Sequence, residues 1–101
     1  MSFRFSSRAV EDLRAIAAYT LKSWGPEQCQ RYLQSLEVAC QLLAEDPALG
    51  RPCEHLSSGL WRRERGRHVI FYRVTEYGIR VVAILHERMM PERHIDEDDD
   101  E

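Results

Sequence analysis

The segment ILHERMMPERHI, Ile84 to Ile95, changes from apolar residues to groups that can do chemistry. It contains two histidines, two arginines and two glutamates. Histidine titrates near neutral pH and can act as a general acid or base, whereas arginine binds carboxylate and phosphate. The segment is therefore a catalytic site, a surface that binds a charged partner, or only the polar end of a strand.

A second charged segment, LWRRERGRH, contains an arginine cluster beside a tryptophan. The cluster consists of Arg62, Arg63, Arg65 and Arg67, and the tryptophan is Trp61. Alternate residues of a strand share a face, so Trp61 is predicted to lie on the same face as Arg63 and Arg65. Arg62 and Glu64 should then lie on the opposite face. The cluster either binds an acidic partner or is a solvated hairpin end whose charges discourage aggregation.

Other patterns that could indicate a metal site or a catalytic site are weak. Cys53, Glu54 and His55 are metal-binding residue types, but zinc needs about four ligands and no second pair stands at a ligand spacing. The sequence has no glycine-rich phosphate loop and no G-x-S-x-G nucleophile elbow. Tyr72 follows Phe71 in an apolar segment, which favours packing over a nucleophilic role. We therefore expect neither a metal nor a cofactor.

The net charge of −3 conceals two oppositely charged parts. Residues 96–101 are six consecutive acids, and removing them from the 17 acidic residues leaves 11 against 14 basic residues. Lys22 is the only lysine, and all other basic residues are arginine. This bias reflects either a need for bidentate contacts with carboxylate and phosphate groups, or the composition of the source genome. We predict one domain over residues 1–95 and a disordered acidic tail, which either only solvates the chain end or competes for the arginine cluster.

The sequence also predicts the compartment. No run approaches about 18 apolar residues, and the N-terminus lacks the apolar region of a secretion signal. Cys29 and Cys40 fall on one predicted helix about 16 Å apart, too far for a disulfide. We expect both to be buried as small apolar side chains, and we predict a cytoplasmic protein with no membrane partner.

The elements that position these groups follow from hydrophobic periodicity. Residues 2–6 alternate as a short strand, and Ser6 or Ser7 can cap a helix that extends to about Ser23. A glycine and a proline then separate it from a second helix over Pro26 to Ala44. So short a connection predicts an antiparallel helical hairpin.

After a predicted loop from Glu45 to Gly59, the periodicity changes to that of strands. Three strands are predicted over Leu60 to Arg65, His68 to Thr75 and Ile79 to His86, joined by hairpins. The last two are apolar on nearly every residue, so we expect both of their faces to be covered.

This order of elements, together with several short motifs, resembles the RelE/ParE superfamily of bacterial toxins, and within it the ParE branch. The resemblance covers roughly residues 3–90. The matching residues are Ala9, Asp12 and Leu13; Tyr19, Thr20, Trp24 and Gly25; Tyr32, Leu33 and Leu36; Pro47, Gly50, Arg51 and Gly59; HVIFYRV from His68; and ILHERM from Ile84. It implies an α+β fold, β-α-α-β-β-β, with a helical hairpin on one face of a mainly antiparallel four-stranded sheet.

The resemblance also implies a function. Such proteins are toxins of type II toxin-antitoxin systems, held inactive in a hetero-oligomer by a cognate antitoxin. The ParE branch inhibits DNA gyrase and is paired with a ParD-like antitoxin, whereas the RelE branch cleaves messenger RNA on the ribosome. The two branches share a fold, which therefore does not separate them.

The ribonuclease alternative needs a base, an acid and cations that converge on the phosphate. The candidates are His68, His86, Arg63, Arg73 and Arg88. RelE-like ribonucleases commonly use lysines and a C-terminal tyrosine, and this chain has no lysine beyond Lys22 and no tyrosine after Tyr77. We therefore expect a non-enzymatic gyrase inhibitor, with the ribonuclease or a non-toxic antitoxin-binding homologue as the alternatives.

The contacts with partners are predicted on two surfaces. The first is the outward apolar face of the helices, with Leu21, Val38 and Leu42. The second is the arginine cluster with Trp61, extended by Arg88 and Arg93 towards a macromolecular partner. We expect protein partners and no direct binding to DNA.

Overall fold

The N-terminal residues form a strand and then a capped helix. In the computed structural model, which describes residues 1–95, β1 is Ser2–Phe5 and α1 is Ser7–Trp24. The buried Ser6 hydroxyl accepts a hydrogen bond from the Ala9 N–H at 3.0 Å and donates one to the Val82 carbonyl at 2.9 Å. One side chain thus caps the helix and attaches its start to the last strand. The predicted acidic tail, residues 96–101, lies outside the described residues.

The second helix, α2, is Pro26–Glu45 and forms the predicted hairpin with α1. Gly25, with a φ of +88°, ends α1 in a conformation that side chains disfavour, and Pro26 occupies the first turn of α2. Both helices extend one residue beyond the predicted ends. Their buried residues lie along one side of each helix: Ala9, Ile16 and Thr20 on α1, and Cys29, Leu36, Cys40, Leu43 and Ala44 on α2.

The rest of the described chain, up to residue 95, completes a mixed sheet of five strands. After a 3-10 turn at Pro47–Leu49 come β2 Arg51–Pro52, β3 Leu60–Arg65, β4 His68–Thr75 and β5 Gly78–His86, followed by a second 3-10 turn at Pro91–Arg93. The spatial order is β1-β5-β4-β3-β2, in which β1 is parallel to β5 and all other pairs are antiparallel.

The α+β class and the helical hairpin are confirmed, whereas the expected strand count of four is too low by one. The additional strand, β2, lies in the segment predicted as a loop and pairs Arg51 with Arg62 and Pro52 with Trp61. Pro52 has no N–H to donate, which suits only an edge strand. A strand of two residues cannot show an alternating pattern, and its formation depends on its neighbour β3.

The β4–β5 hairpin contains an irregularity that determines which residues face each other. Thr75 pairs with Gly78 at the turn, but the register shifts by one between Phe71 and Tyr72, so that His68 pairs with His86. The extra residue lies in β5, because Tyr72 pairs with Val81 but Phe71 pairs with Ala83. The consecutive residues Val82 and Ala83 therefore both belong to the core cluster on the face away from the helices. A β-bulge inserts such an unpaired residue and re-aims the side chains beyond it.

Both faces of the central strands are covered, as predicted. The helices pack on one face around Leu36, Ile70 and Tyr72. On the other face Cys53, Leu60, Val69, Phe71, Val82, Ala83 and Leu85 form a second cluster, which Leu56 and Ile95 cover in part. The loop after β2 and the last described residue therefore cover the sheet face that lies away from the helices.

The three cysteines are free thiols, and all are buried. Cys29 and Cys40 pack as predicted, and burial raises the pKa of the Cys40 thiol to about 12. Cys53 lies in a loop as predicted, but its side chain is completely buried. No helix within residues 1–95 is long and apolar enough to cross a membrane.

Candidate functional site

The register of β4 and β5 brings two histidines together at one end of the sheet. His68 and His86 are cross-strand partners, and their rings lie 5.4 Å apart between centroids at an angle of 86°. From the sequence, each was an acid-base candidate of the ribonuclease alternative and otherwise a polar residue at a strand terminus. The structure therefore forms a histidine pair that the sequence did not predict.

Tyr32 of α2 joins this pair to the turn between β3 and β4. Its hydroxyl lies 2.6 Å from His68 Nδ1, accepts a hydrogen bond from the Arg67 N–H at 3.1 Å, and lies 3.4 Å from the Arg65 carbonyl oxygen. Burial raises the pKa of this hydroxyl, so it stays protonated at neutral pH. A helix side chain thus holds the turn that bears two residues of the arginine cluster.

The two histidines are in different electrostatic settings. Burial lowers the pKa of His68 below its usual value of 6.5, and the adjacent His86 lowers it further, whereas Asp12 and Glu87 have smaller effects in the opposite direction. His68 is therefore neutral at pH 7. His86 Nδ1 accepts a hydrogen bond from the Arg88 N–H at 3.1 Å.

Asp12 connects α1 to the part of β5 that β1 does not cover. The pairing of β1 ends at Val81, and beyond it the Ile84 N–H donates to Asp12 Oδ2 at 2.9 Å. The other carboxylate oxygen accepts from Arg8 Nε at 2.8 Å. The Asp12 side chain is only 12% exposed, so it is a structural link with both oxygens engaged.

A groove of roughly 1010 Å³ opens beside the histidine pair. It lies between α1, the first turns of α2, the β3–β4 turn and the end of β5. Its lining includes Ile16, Tyr19, Trp24, His68, His86 and Met89. The side chains of Tyr19 and Trp24 are 68% and 69% exposed, so two aromatic groups stand at the rim.

The arginine cluster is divided between the two faces of β3, as the alternation predicted. Trp61 stacks on Tyr72 at 6.3 Å between ring centroids, on the helix side of the sheet. Arg62 lies over the Phe71 ring on the opposite side and forms an ion pair with Glu64 at 3.0 Å. The alternation along β3 therefore predicted which face each side chain lies on, but it did not predict the residues that Trp61 and Arg62 contact.

The arginines differ in their availability to a partner. Arg63 donates to the Leu49 carbonyl oxygen at 2.9 Å, so its guanidinium fixes the 3-10 turn. Arg67 lies 4.0 Å from Glu87 in an exposed and therefore weak pair. The side chains of Arg65, Arg88 and Arg93 are exposed and form no hydrogen bond or ion pair with another residue in the 1–95 range.

The five ribonuclease candidates are not all brought together. His68, His86 and Arg88 lie around the groove. Arg73 is five residues along β4 from His68, about 16 Å away at the rise of a strand, and donates to the Ser58 carbonyl and the Ser57 hydroxyl. Arg73 therefore anchors the loop that covers the second core cluster.

The helical hairpin exposes the predicted apolar side chains. Leu21, Val38 and Leu42 are 50%, 52% and 55% exposed. Val38 and Leu42 are one turn apart on α2, so they share a face. Within the described part of the chain, no group of three or more histidine, cysteine, aspartate or glutamate residues could hold a metal ion.

Comparison with known proteins agrees with this fold. Residues 3–91 match the profile of the ParE toxin of the type II toxin-antitoxin system, parDE. Toxin ParE1 of Caulobacter vibrioides is 39% identical over 95 residues, which cover 92% of this chain and 96% of that protein. Toxin ParE1 of Mycobacterium tuberculosis strain CDC 1551 is 38% identical over 98 residues, covering 94% and 100%.

A solved structure of the chromosomal ParDE TA system from P. aeruginosa contains a chain of the same fold. The likeness has a TM-score of 0.72 at 26% sequence identity and covers 85% of this chain and 95% of that chain. The family match over residues 3–91 spans both helices and the strands that carry the histidine pair. This chain belongs to the ParE toxin family and is a toxin of a type II toxin-antitoxin system.

Proposed function

We propose that this toxin acts in the cytoplasm by binding and inhibiting DNA gyrase, and that a ParD-like antitoxin neutralises it in a hetero-oligomer. The observation that carries the proposal is the kind of surface the fold presents. Exposed arginines and exposed apolar side chains lie on this surface, while of the three candidate cations only Arg88 lines the groove with the acid-base candidates. Arg63 and Arg73 are engaged elsewhere. Such a surface is suited to binding rather than to catalysis.

The helical hairpin supports an antitoxin contact. Leu21, Val38 and Leu42 are about half exposed, and apolar side chains on an outer helix face are suited to the apolar side of a partner segment. A partner segment that is disordered when free can cover both helices and then order on binding.

The exposed arginines support a contact with an acidic protein surface. Arg65, Arg88 and Arg93 have no internal partner among the described residues, so they can pair with carboxylates at little cost to the fold. Arginines of this kind increase the rate of association and select an acidic partner. We propose that this surface binds gyrase.

The gyrase proposal is tested with the purified protein in a DNA supercoiling assay. We expect inhibition at micromolar concentration, and a weaker effect after Arg88→Ala with Arg93→Ala. Arg14→Ala is the matched control, because Arg14 is an exposed arginine of α1 with no partner among residues 1–95. If gyrase activity is untouched while translated mRNA is cleaved at codon boundaries, the ribonuclease alternative replaces the proposal.

The antitoxin contact is tested with Val38→Asp and Leu42→Asp, each measured for binding to the cognate antitoxin. We expect each to lower the affinity at least about tenfold, because a carboxylate then replaces an apolar side chain in the contact. Gln30→Asp adds the same charge at an exposed position on another side of α2 and should bind like the parent. Equal affinities for all three variants would contradict this contact. Growth arrest on expression alone separates a toxin from a non-toxic homologue.

A further inference from the structure

The groove beside the histidine pair has hydrogen-bond donors along one wall. The Arg88 N–H can only donate, so His86 Nδ1 is the acceptor and Nε2 is the donor of this ring. The Tyr32 hydroxyl already accepts from Arg67, and its single hydrogen goes to His68 Nδ1 at 2.6 Å rather than to the Arg65 carbonyl at 3.4 Å. Both imidazoles therefore carry a donor at Nε2.

The charges around the groove are also unbalanced. Arg67 and Arg88 both line it. The carboxylate of Asp12 lines it too, but Arg8 and the Ile84 N–H engage its two oxygens. Apart from Asp12, the lining found within residues 1–95 contains no acidic side chain, and Arg67 has only its weak pair with Glu87 at 4.0 Å. An anion in the groove would therefore receive hydrogen bonds from donors that are free to bind it.

The remaining lining is mainly apolar, with Thr20 and Gln28 as further polar residues. Ile16 and Ile84 are buried at the groove, while Tyr19, Trp24 and Met89 expose large apolar surfaces at it. A ligand that fills this space must therefore combine an anion with apolar groups. Amino-acid side chains provide that combination within one or two residues.

We infer that the groove binds a short peptide segment of a protein partner, in which one carboxylate lies beside an apolar or aromatic side chain. The carboxylate would accept from the imidazole pair and Arg88, and its neighbour would pack against Tyr19 and Trp24. A nucleic acid fits less well, because its backbone presents many phosphates and the described part of the chain brings just two arginines, Arg67 and Arg88, to the groove. The inference rests on this toxin acting through protein partners and does not require the partner to be gyrase.

The test uses the full chain and a synthetic peptide, acetyl-Leu-Glu-Trp-Leu-amide, with its Glu→Gln counterpart as the matched ligand. Binding is followed by NMR of the imidazole C–H groups. We expect the Glu peptide to bind about tenfold more tightly than the Gln peptide, since a hydrogen bond to a charged group is replaced by one to a neutral group. We also expect shifts at His68 and His86, with His55 and His94 unmoved as internal controls.

Two variants examine the donors separately. His86→Gln removes one imidazole, and Arg88→Gln removes an exposed guanidinium whose loss leaves the fold intact. Each should reduce the preference for the Glu peptide at least threefold, whereas Arg14→Gln should preserve it. Equal binding of the two peptides, equal shifts at all four histidines, or tighter binding of a six-nucleotide RNA would overturn the inference. Failure here leaves the supercoiling result unaffected, and failure of gyrase inhibition leaves the peptide result unaffected.

Discussion

Replacing Tyr32 by phenylalanine tests whether one hydroxyl joins the helices to the arginine-bearing turn. The change keeps the ring that packs against the core and removes only the oxygen. That oxygen contacts His68 Nδ1 at 2.6 Å, the Arg67 N–H at 3.1 Å and the Arg65 carbonyl at 3.4 Å. The substitution thus isolates the hydrogen bonds from the packing.

The expected loss can be worked out from these distances. The contact at 3.4 Å is longer than a good O–H···O bond, so two hydrogen bonds remain to be counted. Each contributes about 1 kcal/mol net, and both groups left without a partner lie near the open groove, where water can replace the hydroxyl. Tyr32→Phe should therefore lower the free energy of unfolding by about 1–2 kcal/mol.

Urea unfolding provides the assay, with the midpoint expected to fall while the m-value stays constant. Tyr19→Phe is the control, because Tyr19 is an exposed tyrosine whose hydroxyl has no hydrogen-bond partner among residues 1–95. It should stay within about 0.5 kcal/mol of the parent. If Tyr32→Phe is as stable as Tyr19→Phe, the hydroxyl does not hold the turn and our account of its role is wrong.

Three further predictions concern the same framework. Asp12→Asn should cost about 2 kcal/mol in urea unfolding, because one of two engaged oxygens becomes an amide donor, whereas Glu11→Gln on the exposed side of α1 should be neutral. Burial and His86 lower the pKa of His68 in the folded protein, so the unfolded chain binds a proton at this imidazole more readily. The free energy of unfolding should therefore fall as the pH drops below about 6.5, and it should fall less in His68→Gln. Gly50→Ala should destabilise by about 1–3 kcal/mol in thermal unfolding, because the added Cβ would overlap the Tyr72 hydroxyl.

Most of the framework was predictable because its periodicity is local. The 3.6-residue spacing predicted both helices to within one residue, and alternation or continuous apolarity predicted β3, β4 and β5. The two-residue β2 was not predictable, since its only signal is a partner strand distant in sequence. The outward positions Val38 and Leu42 followed directly from helical spacing.

The histidine pair was not predicted, although the predicted strand bounds allow it. His68 to Thr75 and Ile79 to His86 are equally long, so pairing their ends would place His68 opposite His86. In the structure the turn is tighter, with Thr75 opposite Gly78, and that register alone would place His68 opposite Leu85. The bulge beyond Phe71 restores the pairing of the two histidines, and no residue type in VVAIL indicates it. The role of Tyr32 was not predictable from the sequence either, because its hydrogen bonds form only when α2 packs on the β3–β4 turn.

The parallel pairing of β1 with β5 has a consequence for synthesis. Ser2 pairs with Gly78, and the last strand, β5, lies between the first strand and β4. A nascent chain that has not reached Gly78 therefore lacks the strand that joins the two halves of its sheet, and contacts this distant in sequence form late in folding. Premature termination before β5 should release an unfolded fragment for proteases rather than a smaller toxin, so the cell meets the folded domain only after β5 has been translated.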